Sequence, residues 1–151
     1  MASFRAALIQ LTSSDDPAEN LPRIEALLRE AAAGGAQIAL TPEVSNILSS
    51  SRTRQAETLT TEAEDPTLAR LREVAAETGL WLSIGSLALL SENAEGRFAN
   101  RQFLIAPDGA IVARYDKIHM FDVTLGGDES YRESASYRPG DKAVLAETPF
   151  G

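Results

Sequence analysis

Two charged side chains stand where an apolar run hands the chain to a loop. Glu43 follows AQIAL and comes directly after Thr41-Pro42. Proline fixes its own φ and pushes the residue before it to extended backbone, so the exit from that run is constrained beside the carboxylate. A carboxylate held at a sheet's edge, where ligands bind in open α/β folds, could take and return a proton; the alternative is a solvated loop glutamate. Lys117 follows AIVARY in the same way, inside the stretch YDKIHMFD from Tyr115 to Asp122. Its ammonium could stabilise an oxyanion if the two strand ends share one side of a sheet; the alternative is a surface lysine balanced by Asp116 and Asp122.

His119 is the only histidine, and there is no cysteine. Zinc would then need carboxylates for every other ligand, so no metal is expected. No G-x-S-x-G elbow singles out a serine for a Ser-His-Asp arrangement, and His119 is assigned to packing or loop hydrogen bonding. Asp122, Asp128 and Glu129 do not follow the calcium-loop spacing, and neither a P-loop nor a GxGxxG is present. These acids read as loop surface, and Trp81 among its leucines reads as core.

The elements that must position Glu43 and Lys117 belong to an ordinary small domain. The 151 residues are 44% hydrophobic and 24% charged, enough for one core. A net charge of −8 argues against a nucleic-acid partner, since phosphate binding needs clustered Lys and Arg. No apolar run approaches the roughly 18 residues of a spanning helix, and the start lacks the regions of a signal peptide. The reading is cytoplasmic, with no membrane partner.

Phe4 to Leu11 is a short apolar run that reads as a buried strand. Asp16-Pro17 with Glu19 opens a helix as N-cap, first-turn proline and capping box, and Leu21, Ile24, Leu27, Leu28 and Ala31 recur at helical spacing up to Gly34-Gly35. Pro22 inside that pattern predicts a kink or a later start near Asn20. AQIAL is a second strand, and the polar stretch 44–64 reads as a long surface loop or a short frayed helix. Asp65-Pro66 starts a second helix whose stripe Leu68, Leu71, Val74 and Ala75 stops at Gly79. LWLSIGSLALL, RFANRQFLIAP and AIVARYD read as strands, the last two joined by a Pro107-Asp108-Gly109 turn. Residues 116–141 lack regular apolar spacing, and KAVLAE is one more possible strand. This order indicates an α/β layered domain with helices on one face of the sheet; the other face needs a cover from a partner or a continuation of the chain.

ALTPEV around Glu43, YDKIHMFD around Lys117 and ESASYRPGD from Glu133 to Asp141, in this order and with the asparagine strand FANRQFLI between them, resemble the nitrilase superfamily of carbon-nitrogen hydrolases. The resemblance covers essentially the whole chain. It implies a nitrilase-like α-β-β-α sandwich, of which residues 1–151 are the N-terminal part of a single domain. It also implies Glu-Lys-Cys covalent catalysis on a small-molecule amide, with Glu43 as general base and Lys117 as oxyanion stabiliser. A second, supporting glutamate is best matched by Glu133 rather than Glu129. Glu43 would pass the thiol proton on and later activate the water that hydrolyses the thioester, a task suited to a carboxylate shielded from solvent. No cofactor is needed.

The cysteine has no counterpart before Gly151, so the expectation is a chain that ends short of the nucleophile. The Lys-Ile-His-Met-Phe-Asp-Val run and the Tyr-Arg-Glu-Ser segment look most similar to the Nit-type amidases. Those act on small carboxylate-bearing amides, and family members commonly form homo-oligomers. The alternatives are a nitrilase or carbamoylase of the same superfamily, a non-catalytic binding or assembly module of the same fold, and a hydrolase with serine in the place of cysteine.

Overall fold

The computed structural model describes residues 3–91, 96–126 and 129–151; Asp128 lies outside the described residues. Strand β1 (Ala6–Leu8) is followed by α1 (Pro17–Ala33), β2 (Ile38–Leu40), α2 (Arg52–Thr58), α3 (Pro66–Thr78) and the long strands β3 (Trp81–Leu90), β4 (Phe98–Ile105) and β5 (Ile111–Asp116). A short hairpin, β6 (Asp122–Thr124) with β7 (Ser130–Arg132), leads into a single 3₁₀ turn at Glu133–Ala135. The first five strands form one sheet in sequence order, β1-β2-β3 parallel and β3-β4-β5 antiparallel. The parallel pairs are those connected through helices, as crossover geometry requires.

The Asp16 carboxylate accepts from the Ala18 N–H at 2.9 Å and starts α1, with Pro17 in its first turn. Glu19 does not complete a capping box, because Ser14 intervenes: its hydroxyl donates to Glu19 Oε2 at 3.1 Å and accepts from the Asp16 N–H. The helix does not start late near Asn20 but begins at Pro17 and runs through Pro22. Pro22 is exposed and withholds one bond from the Ala18 carbonyl, close enough to the helix start for solvent to replace it. Asp65 caps α3 by accepting from the Leu68 N–H at 2.7 Å, and Gly79 ends it at φ 71°, a left-handed conformation that a Cβ disfavours.

Helices α1 and α3 bury Ile24 and Leu28, and Leu71 and Val74, against Leu82, Ile84, Phe103 and Ile105 of the sheet. Each such side chain contributes about 1.5–3 kcal/mol when fully buried. A bulge in β3 between Ile84 and Leu87 shifts its alternation, so Leu87 and Leu89 face this same core.

The second face is covered at one end only. Ile47, Leu59, Ala88, Phe98 and Tyr137 form a separate buried cluster there. The polar stretch 44–64 is therefore not a surface loop throughout: it begins with the buried Ser45, Asn46 and Ile47 and then forms α2. Leu8, alternate to the core-facing Ala7, stays 80% exposed. Trp81 lies on this face, half-buried and edge-on to Phe150 at 6.3 Å, rather than in the main core. KAVLAE forms no strand, since no strand pairs with it, and its Leu145 is exposed. Among the described residues no helix is long and apolar enough to cross a membrane.

Where β2 stops pairing with β3 at Ser83, the Asn46 side chain takes over further along: its Nδ2 donates to the Ala88 carbonyl and its Oδ1 accepts from the Ala88 N–H, both at 2.9 Å. Asn46→Ala strands both buried Ala88 groups at a cost of about 1–3 kcal/mol each. Urea unfolding is expected to show a loss of about 2–6 kcal/mol, and a midpoint within experimental error of wild type would contradict this role.

Candidate active site

Glu43 is aimed by the turn that follows β2. Thr41 donates its N–H to the Ser83 carbonyl at 3.0 Å, and the turn then crosses the β3 bulge. A Cβ on Gly85 would lie 2.2 Å from the Thr41 carbonyl oxygen, so only glycine admits this crossing. The neighbouring Ser86 holds the turn: its hydroxyl accepts from the Val44 N–H at 2.7 Å and its carbonyl from the Ser45 N–H at 2.9 Å. Val44 is thereby kept at φ 49°, a strained conformation for a β-branched residue and the only positive-φ non-glycine among the described residues.

Lys117 continues β5 by one residue, donating its N–H to the Asn100 carbonyl at 3.0 Å and accepting from the Gly140 N–H at 2.8 Å. A Cβ at Gly140 would meet the Asp116 carbonyl oxygen at 2.3 Å, so the Pro139-Gly140 segment lies directly over this strand end. The same segment stitches onto β4 on its way: Phe98 donates to Ser136 and Arg138 to Phe98, each at 2.8 Å. That fixes the 3₁₀ turn carrying Glu133.

The structure brings Glu43, Lys117 and Glu133 together. The Lys117 ammonium donates to Glu43 Oε1 at 3.0 Å and to both Glu133 oxygens at 2.9 Å. Glu133 Oε2 also accepts from the Phe121 N–H at 2.6 Å, and Glu43 Oε1 from Asn100 Nδ2 at 2.7 Å. Glu43 Oε2 has no partner among the described residues, and all three groups line a pocket of about 470 Å³. Glu129 is not in the cluster; it accepts from the Tyr131 hydroxyl. His119 is exposed rather than packed. Glu43 is also more open than its expected task suggests, its side chain 56% exposed against 17% for Glu133, because the cover over the second face reaches only part of the sheet.

Burial pushes the Glu43 carboxyl up, but the hydrogen bonds from Lys117 and Asn100 together outweigh it and hold it below its ordinary 4.5. For Lys117, burial pushes down, and the bonds to Glu133 and Glu43 more than compensate, keeping it above 10.5. Glu43 is thus an ionised base and Lys117 a fixed cation at neutral pH. The Glu43 contribution to stability is lost only as pH falls through its depressed pKa, and that of Lys117 only as pH rises through its raised one. At the pocket wall, burial and then the Glu133 charge push the Tyr137 phenol up to about 12, so it remains a donor; it accepts from Gln55 Nε2 at 3.2 Å. Asn100, Tyr137 and Gln55 were not singled out as site residues from sequence. An asparagine that follows the apolar Phe98-Ala99 in a strand is the signal for Asn100, since a buried amide requires partners.

Residues 5–151 match the sequence profile of the Carbon-nitrogen hydrolase family. The deaminated glutathione amidase of Yersinia enterocolitica is 32% identical over 152 aligned residues, which take in 100% of this chain and 52% of that protein. The human omega-amidase NIT2 is 36% identical over 152, covering 99% and 52% respectively. The chain therefore spans about half the length of the curated relatives it matches. Among solved structures, the C. elegans NitFhit protein superposes with a TM-score of 0.86 at 25% identity over 100% of this chain and 37% of that one. An amidase from Nesterenkonia sp. gives 0.73 at 27% over 95% and 51%. A Nesterenkonia amidase solved with added acrylamide carries it on an active-site cysteine. The α/β architecture described above is that of the nitrilase fold.

Asn100→Ala removes a donor to the ionised form of Glu43 while leaving the backbone bond to Lys117. The Glu43 pKa is expected to rise, followed by carboxyl-carbon NMR across the acidic range; an unchanged pKa would show that Lys117 alone sets it.

Proposed function

The chain belongs to the carbon-nitrogen hydrolase family, and from that premise we propose that it forms the glutamate-lysine part of an amidase that releases ammonia from a small, carboxylate-bearing amide. The observation that carries this reading is one ammonium within 2.9–3.0 Å of two glutamates at the mouth of a pocket of about 470 Å³. The amidase and omega-amidase names of the relatives favour an amide over a nitrile or carbamoyl substrate.

In this reaction a cysteine thiol gives its proton to Glu43, and the thiolate attacks the amide carbonyl. Lys117 stabilises the oxyanion that forms. As the tetrahedral species collapses, the C–N bond breaks and Glu43 returns its proton to the departing nitrogen, leaving a thioester and ammonia. Glu43 then takes a proton from water, hydroxide adds to the thioester, and the C–S bond breaks with return of the proton to sulfur. Glu133 touches none of the reacting atoms in this scheme and acts by positioning Lys117. The chain contains no cysteine, so in this reading the nucleophile lies outside residues 1–151. The working enzyme is read as a cytoplasmic homo-oligomer.

The test is ammonia release from monoamides of dicarboxylic acids by the complete protein. Glu43→Gln is expected to lower kcat by about 10²–10⁴ and Lys117→Met by about 10²–10³. Glu133→Gln should lower kcat with little change in KM. Undiminished turnover after both the Glu43 and Lys117 substitutions would refute the reading.

A further inference from the structure

On the opposite face of β4 and β5 from the Glu43–Lys117 cluster, four arginines converge on one cleft, in a chain that has only 14 basic residues against 22 acids. The cleft, about 420 Å³, lies where the loop before α3 meets the strands, and Arg72, Arg101, Arg114 and Arg138 line it together with Glu62 and Asp65. Its placement follows from strand alternation. Asn100 turns to Glu43 while Arg101, its neighbour, faces the other way; Lys117 turns to the same cluster while Asp116, paired with Arg101 across the strands, does not.

Three of the four guanidinium groups are held in place. Asp116 grips Arg101 through two bonds, at 2.6 and 2.9 Å, and Glu62 bridges Arg101 and Arg114 at 2.7 Å each. Arg72 is fixed by one bond from Nε to the Gly109 carbonyl at 2.8 Å. Arg72 and Arg114 thus keep their terminal nitrogens without partners among the described residues, and the Arg138 side chain has none at all there. Asp65 is occupied as the α3 cap. Four cations against Glu62, Asp65 and the Asp116 that grips Arg101 leave a net charge of +1. An adjoining cleft, reached past Arg101, Arg114 and Arg138, adds Lys142 along with Asp116 and Asp141. No aromatic ring lines the first cleft.

We propose that this arginine cleft binds a small dianion whose phosphoryl or carboxylate oxygens are forked by Arg72, Arg114 and Arg138. Planar guanidinium pairs match such oxyanions bidentately, and prior clamping of Arg101 and Arg114 lowers the ordering cost of binding. The inference is independent of the amidase reading.

The test titrates the purified protein with inorganic phosphate and, separately, with succinate. Both titrations are run at constant ionic strength against chloride, followed by calorimetry and by arginine Nε–H NMR signals. Saturable binding is expected, with the Arg72 and Arg114 signals moving. Saturation by phosphate alone marks a phosphoryl ligand, by succinate alone a dicarboxylate, and by both a site that reads oxyanions generally; each supports the proposal. The double variant Arg114→Gln/Arg138→Gln, which spares the Arg101–Asp116 pair, should bind roughly tenfold more weakly or worse, as the loss of charge-assisted bonds requires. Should that variant fail to fold, Arg138→Gln alone serves, since its side chain holds nothing else in the described structure. No saturable response to either anion, or affinity unchanged in the folded variant, overturns the proposal.

Discussion

The site depends on one buried amide. β2 pairs with β3 over only three residues before the chain must turn, and beyond that point the edge of β3 would present unpaired peptide groups to the interior. Asn46 closes the gap by pairing both sides of its amide with Ala88, and its own carbonyl accepts from Nδ2 of the buried Asn20 of α1 at 2.9 Å. Helix, turn and strand are thereby locked at one point. A buried polar group is expensive unless satisfied, so each member of this network enforces the others. The turn between Pro42 and Asn46 has no freedom left, which is how Val44 comes to be held in a conformation costing about 1–3 kcal/mol and how Glu43 comes to point at β4.

Strand alternation does the rest. β4 and β5 each present successive residues to opposite faces, and the register Arg101↔Asp116 sets Asn100 beside Lys117. One face therefore carries the Glu43–Lys117–Glu133 cluster, and the other carries the arginine cleft. A one-residue slip in this hairpin would exchange the two sets of side chains. The core positions Phe103 and Ile105 oppose such a slip, because it would expose them.

Local signals in the sequence were enough for the elements whose cause is local. The Asp65-Pro66 start and Gly79 stop of α3, the β4–β5 turn at Pro107-Asp108-Gly109, and the strand ends bearing Glu43 and Lys117 all appear as read. What escaped has long-range causes. Asn100 meets Glu43 across 57 positions and Asn46 meets Ala88 across 42, and nothing in the neighbouring residues reports such pairings. The β6–β7 hairpin is three residues a side and largely exposed, too short to leave a period in the sequence, while KAVLAE has apolar content without a strand to pair with. Glu133 came from a resemblance to known hydrolases rather than from spacing, since its ion pair with Lys117 rests on the stitching of 136–140 over β4 and β5.

The two glutamates around Lys117 are chemically alike but differently employed, and their environments support the division of labour proposed for them. Glu133 is 17% exposed and uses both oxygens on Lys117 and one also on the Phe121 N–H. With both oxygens engaged in charge-assisted bonds, it is suited to holding the ammonium still. Glu43 commits a single oxygen to Lys117 and Asn100 and leaves the other without a partner among the described residues. It can accept a proton on that free oxygen while Oε1 keeps both of its donors. Lys117, bound more fully to Glu133 than to Glu43, can then retain its anchor and still turn part of its charge toward an oxyanion. The asymmetry between the two carboxylates, on which the proposed roles of counter-ion and base rest, lies in hydrogen bonds that only the fold could place.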